Sequence, residues 1–412
     1  MTDRTDQSQG EAAPQDPAPR DPTPETSTDR AATAPKRSIV GRVKKVCLFV
    51  AITALAFIWI EGCGSTTIAL FEAARGPAEP IYSEYDAELG WVNSPSIDIP
   101  DLWSAGNGLQ TNAQGFRAQA DVTPQLAAGG LRILCSGDSF AFGEGVANVE
   151  TWCHLLTLED ERLETVNLGQ PGYGVDQSYL RYARDAESLD HTIHLFTFIG
   201  ADLARMGRPA QVGYAKPVLR MDGEELIVSN VPVPRLMPAV GRFSEQLSDR
   251  LRSVDFGRRI LSRLVTPRPI DIAEERGRVA PIARAVFERV RQLTEERGSV
   301  PVFVYLATET DLDEDHRWRG WVNETMDALG YTFIDLTPVL RSVPRETAET
   351  FFIPKGAPAG GHYSVAGNRW AAGVLYERLL ELPATAAVLA TAAVLADPRD
   401  SPENRAIPAS GG

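Results

Sequence analysis

From residue 131 onward, short apolar runs alternate with longer stretches in which apolar residues recur every three or four positions. Leu131–Cys135, Glu164–Leu168, Ile193–Phe198, Val302–Leu306 and Tyr331–Ile334 are the short runs, and they read as buried strands. Between and after them, residues 150–158, 176–189, 282–297, 315–329 and 364–382 read as helices. In the third, Ile282, Val286, Val290 and Leu293 share one face, and Gly298 supplies a stop. Strand–helix alternation of this kind predicts an α/β fold with a mainly parallel sheet covered by helices.

The alternation breaks at residues 207–280. Lys216–Val228 reads as a hairpin about Asp222-Gly223, and Phe243–Leu264 as a helical stretch. This segment is expected to be an insertion beside the site. Ahead of the sheet, residues 81–130 mix turn residues with short apolar runs and predict a small strand-and-loop extension. Residues 1–35 have almost no large apolar side chains and are expected to be disordered. Residues 384–412, Ala-rich and then rich in Pro, Asp and Gly, are expected to be a frayed helix and a disordered end.

Val46–Ile60 carries no charge, and the apolar stretch reaches spanning length when continued to Leu70. Lys36, Arg37, Arg42, Lys44 and Lys45 precede it, whereas acidic residues dominate after it. The expectation is a transmembrane anchor at 46–70 with the N-terminus in the cytoplasm and the rest outside. Two alternatives remain open: a lipoprotein signal around Ile60-Glu-Gly-Cys63 and a buried core helix.

The 412 residues are 43% hydrophobic with a formal net charge of −14, and no dense basic run lies outside the segment before the anchor. That balance argues against a nucleic-acid partner. The four cysteines, Cys47, Cys63, Cys135 and Cys153, show no metal-ligand spacing. Cys135 and Cys153 are read first as buried thiols acting as small hydrophobes, with a disulfide as the alternative in an oxidising compartment.

Candidate chemistry begins where the first strand ends. Gly137-Asp138-Ser139-Phe140 puts a serine between a strand and a helix, where open α/β sheets place ligands. A nucleophilic serine needs donors for the oxyanion it creates and a base to take its proton. Asn167-Leu-Gly-Gln-Pro-Gly172 follows the second strand, and Gly172 could turn a backbone N–H towards the site. Of the five histidines, only His362, in Gly360-Gly-His-Tyr-Ser364, lies in a glycine-rich loop just before a helix. Imidazole is the side chain suited to exchange a proton near neutral pH.

These three blocks, in this order, resemble the SGNH (GDSL) hydrolase family, most closely its membrane-anchored bacterial envelope type. That type carries Thr-Asn-x-x-Gly-Phe-Arg before the serine, here Thr111–Arg117, and Gly-Glu-Gly-Val after it, here Gly143–Val146. The resemblance covers about residues 81–382. It implies a flavodoxin-like three-layer α/β/α sandwich with a five-stranded, mainly parallel sheet over residues 131–383. It also implies Ser139 as nucleophile and oxyanion donor, Gly172 as a second donor and His362 as base. Two departures stand out. Ala201 occupies the position where the family has an oxyanion asparagine, and Ala359 and Gly360 stand where it has an aspartate before the histidine.

The implied activity is a serine ester hydrolase or O-acyl (acetyl) transferase acting on acylated carbohydrate or other esters in the cell envelope, with no cofactor and no metal. The domain would be periplasmic, held to the inner membrane by the single N-terminal helix. The alternative is an envelope binding protein of the same fold with impaired catalysis.

Overall fold

A computed structural model describes residues 39–75, 82–126, 129–211, 214–234 and 272–396. The expected disorder of residues 1–35, the helical stretch Phe243–Leu264 and the end of the tail lie outside these residues. The chain divides into two units, Met1–Cys63 and Gly64–Gly412.

Helix α1, Ile39–Arg75, contains the apolar stretch. Within it, Gly41–Cys63 is a candidate membrane span by length and composition, 23 residues with a mean hydropathy of 2.2. At 1.5 Å per residue such a segment covers about 35 Å, enough for the roughly 30 Å of a bilayer's hydrocarbon core.

In the larger unit, five parallel strands form one sheet. They are β5 (Leu131–Ser136), β6 (Leu163–Asn167), β7 (Ile193–Phe198), β10 (Val300–Tyr305) and β11 (Phe333–Asp335), in the spatial order β11–β10–β7–β5–β6. The order reverses between β5 and β7, so their carboxyl ends flank the crevice in which doubly wound sheets bind ligands. Both faces of the sheet are covered, which is why these strands read as continuous apolar runs. Leu131, Ile133 and Cys135 look onto α3 (Trp152–Glu159) and α8 (Val365–Glu381). On the other face, Phe196, Phe198, Phe303 and Tyr305 pack with Val279, Val286, Phe287 and Val290 of α6 (Ile272–Glu296) and with Val322 and Met326 of α7 (Arg319–Leu329). Helix α4 (Val175–Asp185) buries Tyr182 against Leu134 and Val166.

The structure joins Cys135 of β5 to Cys153 of α3 in a disulfide, with Cα atoms 6.4 Å apart. This corrects the reading as free thiols. The odd-numbered side chains of β5 face α3, so the two sulfurs meet although 18 residues separate them.

Two antiparallel pairs precede the sheet, β1 (Ser83–Asp86) with β2 (Gly90–Asn93) and β3 (Asp98–Ser104) with β4 (Asn107–Gln110). They brace the site loops. Trp91 Nε1 donates to the Pro171 carbonyl at 3.0 Å, and Tyr173 Oη donates to the Trp91 carbonyl at 2.5 Å. The hairpin about Asp222-Gly223 forms as β8 (Val218–Asp222) and β9 (Glu225–Ser229). Helix α6 begins ten residues ahead of the sequence expectation and runs through Pro281. Proline is a reason to start a helix, but here Val279 is buried in the core and Glu275 holds Arg317 before it. The Ala-rich segment forms α9 (Pro383–Ala396), which packs on α8 and buries Leu389.

Candidate active site

Strand β5 delivers Ser136 to the crevice, and Gly137 turns the chain into the short helix α2, Ser139–Phe142. Asp138 caps that helix, its Oδ1 accepting from the Phe140 N–H at 2.9 Å. Ser139 is buried but for one opening, and its Oγ lies 2.8 Å from His362 Nε2. The two residues are 223 positions apart in sequence.

His362 is held from several sides. Its Nδ1 is hydrogen-bonded to the Ala359 carbonyl at 2.9 Å, and its ring packs on Phe140 with centroids 5.0 Å apart. A carbonyl only accepts, so Nδ1 carries a proton and Nε2 presents its lone pair to the serine. Ala359 adopts φ +58°, a left-handed conformation uncommon for a residue with a Cβ. Behind the loop, Tyr363 Oη donates to the Ala307 carbonyl at 2.6 Å, and Ser364 caps α8 by accepting from the Gly367 N–H.

Three carboxyl groups surround the pair, and none bonds Nδ1. Asp138 Oδ2 is 3.5 Å from Ser139 Oγ, beyond a good O–H···O bond, and is paired with Arg205 at 3.1 Å. Asp202 shares that arginine at 2.5 Å, and burial together with the Asp138 charge pushes its carboxyl well above the usual carboxylate range. Glu144 Oε2 is 3.6 Å from His362 Nε2. Burial pushes Glu144 upward too, while the imidazole and Arg117 draw it back. The loop carrying Glu144 is clamped by Arg117, whose Nη1 donates to the Phe142 and Gly143 carbonyls and whose Nη2 donates to Val146. Asn112 Oδ1 shapes the turn that presents this arginine, accepting from the Gln114 and Phe116 N–H groups. The Thr-Asn-x-x-Gly-Phe-Arg segment therefore acts structurally, by fixing the far side of the serine loop.

The second block comes up against α2. A Cβ on Gly169 would stand 2.2 Å from the Phe142 nitrogen, so only glycine lets the two backbones approach so closely. Asn167 donates to the Ala141 carbonyl at 2.9 Å and ties the blocks together. Gly172 has φ +81°. Among the described residues, the N–H groups of Ser139 and Gly172 donate to no acceptor.

A cleft of about 340 Å³ opens over the serine, lined among others by Ser139, Ala201, Arg205, His316, Lys355 and His362. Gly172 is not on its wall. The chain thus brings the serine and histidine blocks into contact at the switch point of a five-stranded parallel sheet, with Ala201 beside them. No protein-family model matches it, and neither does any curated protein. Solved structures to which the chain is similar include a member of the lipolytic G-D-S-L family from Veillonella parvula, at 13% identity and a TM-score of 0.34, covering 61% of this chain and 98% of that one. A lipase/acylhydrolase from Enterococcus faecalis is 14% identical with a TM-score of 0.31, covering 60% and 95%. An alpha/beta hydrolase from the metagenome of Lake Arreo, Spain, is 14% identical with a TM-score of 0.33, covering 64% and 98%.

Against the SGNH pattern, the structure adds three residues that sequence reasoning did not place. Arg205 lies one helical turn beyond Ala201 on α5 (Gly200–Met206) and bridges Asp138 to Asp202. An acid–base pair at i, i+3 was a visible signal for half of this bridge. Glu144 was visible only as part of the Gly-Glu-Gly-Val resemblance. His316 had no signal at all, since it sits among charged residues ahead of a helix and reaches the cleft through tertiary packing.

Proposed function

We propose that this chain is a serine ester hydrolase or O-acyl transferase of SGNH type, with Ser139 as nucleophile and His362 as base. The observation that carries this reading is the 2.8 Å contact between Ser139 Oγ and His362 Nε2, with Nδ1 occupied by a backbone carbonyl. His362 Nε2 takes the Ser139 proton as Oγ attacks the ester carbonyl. The Ser139 N–H, on the cleft wall, meets the oxyanion. The C–O ester bond then breaks, the leaving oxygen takes the proton from Nε2, and an acyl-serine remains. Water or a sugar hydroxyl gives its proton to Nε2 and attacks the acyl carbon; the acyl–Oγ bond then breaks and Ser139 Oγ takes that proton back from Nε2. The Ala359 carbonyl does the orienting work of the missing carboxylate, so the site runs as a Ser–His dyad.

Acylated carbohydrate in the cell envelope is the substrate class we assign. The domain would lie outside the cytoplasm on a single inner-membrane anchor. Lys36, Arg37, Arg42, Lys44 and Lys45, at the N-terminal end of the apolar stretch, support that orientation, and a disulfide closing the segment that carries Ser139 suits an oxidising compartment. A second reading, a binding protein of this fold with impaired catalysis, draws on Ala201 in the cleft wall and on the absence of a carboxylate at Nδ1 among the described residues.

Labelling of the full-length chain in detergent by a fluorophosphonate probe tests the proposal. Wild type should label, and Ser139→Ala should not. A folded wild-type chain that stays unlabelled supports the binding reading instead.

A further inference from the structure

The cleft contains a second imidazole. His316 comes from the loop before α7, far in sequence from both Ser139 and His362, and it lines the same cleft as Ala201. Its ring rests against Gly200 so closely that a Cβ there would be 2.1 Å from Nδ1. The ring therefore occupies the space immediately beside the position where an oxyanion asparagine would stand.

The ring's hydrogen bonding sets its tautomer. The Trp318 backbone N–H donates to His316 Nδ1 at 3.3 Å. An amide N–H only donates, so Nδ1 is the acceptor and the neutral ring carries its proton on Nε2. Burial, seconded by the Arg317 charge, pushes the imidazole below its ordinary range, so at pH 7 the ring is neutral. The loop is firmly held. The His316 N–H donates to Asp311 Oδ1 at 3.3 Å, and Thr308 N–H donates to Asp311 Oδ2 at 2.8 Å. Arg317 forks onto both oxygens of Glu275 at 2.9 Å. Among the described residues, Nε2–H has no acceptor.

We propose that His316 is an electrophilic residue of this site: its Nε2–H donates to the carbonyl oxygen of the bound ester beside Ala201, whose side chain supplies no donor. This rests on the hydrolase reading above. A neutral imidazole fixed in one tautomer is a preorganised donor that needs no reorganisation as negative charge develops on the oxygen. No proton leaves Nε2 in any step. The role is that of a hydrogen-bond donor, and His362 remains the base.

Hydrolysis of 4-nitrophenyl acetate by the full-length chain in detergent tests this, alongside fluorophosphonate labelling. His316→Phe keeps a ring against Gly200 and removes the donor. It should lower kcat by about 10²-fold with KM within about threefold, the loss typical of an oxyanion donor. Adding Ala201→Asn to His316→Phe should restore at least about tenfold of that loss, which repair of packing alone would not do. His316→Gln, which retains an N–H donor, serves if the phenylalanine variant does not fold, and should stay within about tenfold of wild type. A His316→Phe enzyme with wild-type kcat, a loss confined to KM, or no gain from Ala201→Asn overturns the proposal. A wild-type chain that neither labels nor cleaves the ester overturns the hydrolase reading and this one with it. A reactive wild type and an equally reactive His316→Phe overturn this one alone.

Discussion

At the scale of single residues, the site substitutes backbone for side chain. In the proposed mechanism an aspartate would ordinarily orient the base; here the Ala359 carbonyl holds His362 Nδ1, in a left-handed residue fixed by its loop. A neutral carbonyl holds the tautomer but adds little charge to stabilise an imidazolium. Glu144 stands on the other side, its Oε2 3.6 Å from Nε2. Its carboxyl is raised by burial, so the folded chain holds that proton more tightly than the unfolded chain. The group's contribution to stability is therefore fully present at low pH and is lost as pH rises from about 4.5 through the raised value. Glu144→Gln should consequently melt higher than wild type at pH 7, by about 2 °C or more, with the gap closing near pH 4. The same variant should lose about tenfold in kcat, equivalent to about 1.4 kcal/mol of transition-state charge stabilisation. Scanning calorimetry at the two pH values, with ester turnover, checks both halves. A variant that melts lower at pH 7 would refute the strain assigned to this carboxylate.

At the scale of elements, the sheet was readable because each strand is buried on both faces and each helix on one. Periodicity reports burial, and burial alone separates these elements. The polar contacts that lock elements together leave no such trace. Lys216, just ahead of β8, is fully buried against Asp176 of α4 at 2.5 Å and also donates to the Arg205 carbonyl at 3.2 Å. This one cation joins the hairpin, α4 and the residue that bridges Asp138 to Asp202. Nothing in the sequence around Lys216 distinguishes it from a surface lysine, because its partner is 40 positions away. Removing one member leaves the other charged and unpaired in the interior. Lys216→Met should cost roughly 3–5 kcal/mol in urea denaturation, and the double variant Lys216→Met/Asp176→Leu should cost clearly less than the single one. Equal losses in both would mean that packing, not charge, dominates at this joint.

For the whole molecule, topology and the Ser139–His362 pair follow from the order of three short blocks, since each sits at the carboxyl end of a strand or ahead of α8. The disulfide and His316 did not follow, because both depend on which faces oppose one another after folding. A further long-range feature links the fold to pH. His194 lies in β7, beside β5 in the sheet, with Nε2 2.8 Å from Ser136 Oγ, Nδ1 3.1 Å from Thr294 Oγ1, and its ring stacked on Tyr182 at 3.6 Å. His191 contacts the same tyrosine, Nε2 to Oη at 2.9 Å, and Nδ1 donates to the Leu189 carbonyl at 2.7 Å. Burial pushes His191 down to about 4 and holds His194 well below its ordinary range, and the Arg297 charge adds to both shifts. Unfolding releases both to ordinary values near 6.5, so below that pH the unfolded chain binds protons that the folded chain refuses. Their stabilisation is complete above about pH 6.5 and drains away as pH falls towards 4, with His191 alone accounting for roughly 3 kcal/mol by then. Urea unfolding at pH 7, 5.5 and 4 should show this decline, and His194→Gln should flatten it. A stability constant across that window would mean that the two rings are hydrated or already charged in the folded protein.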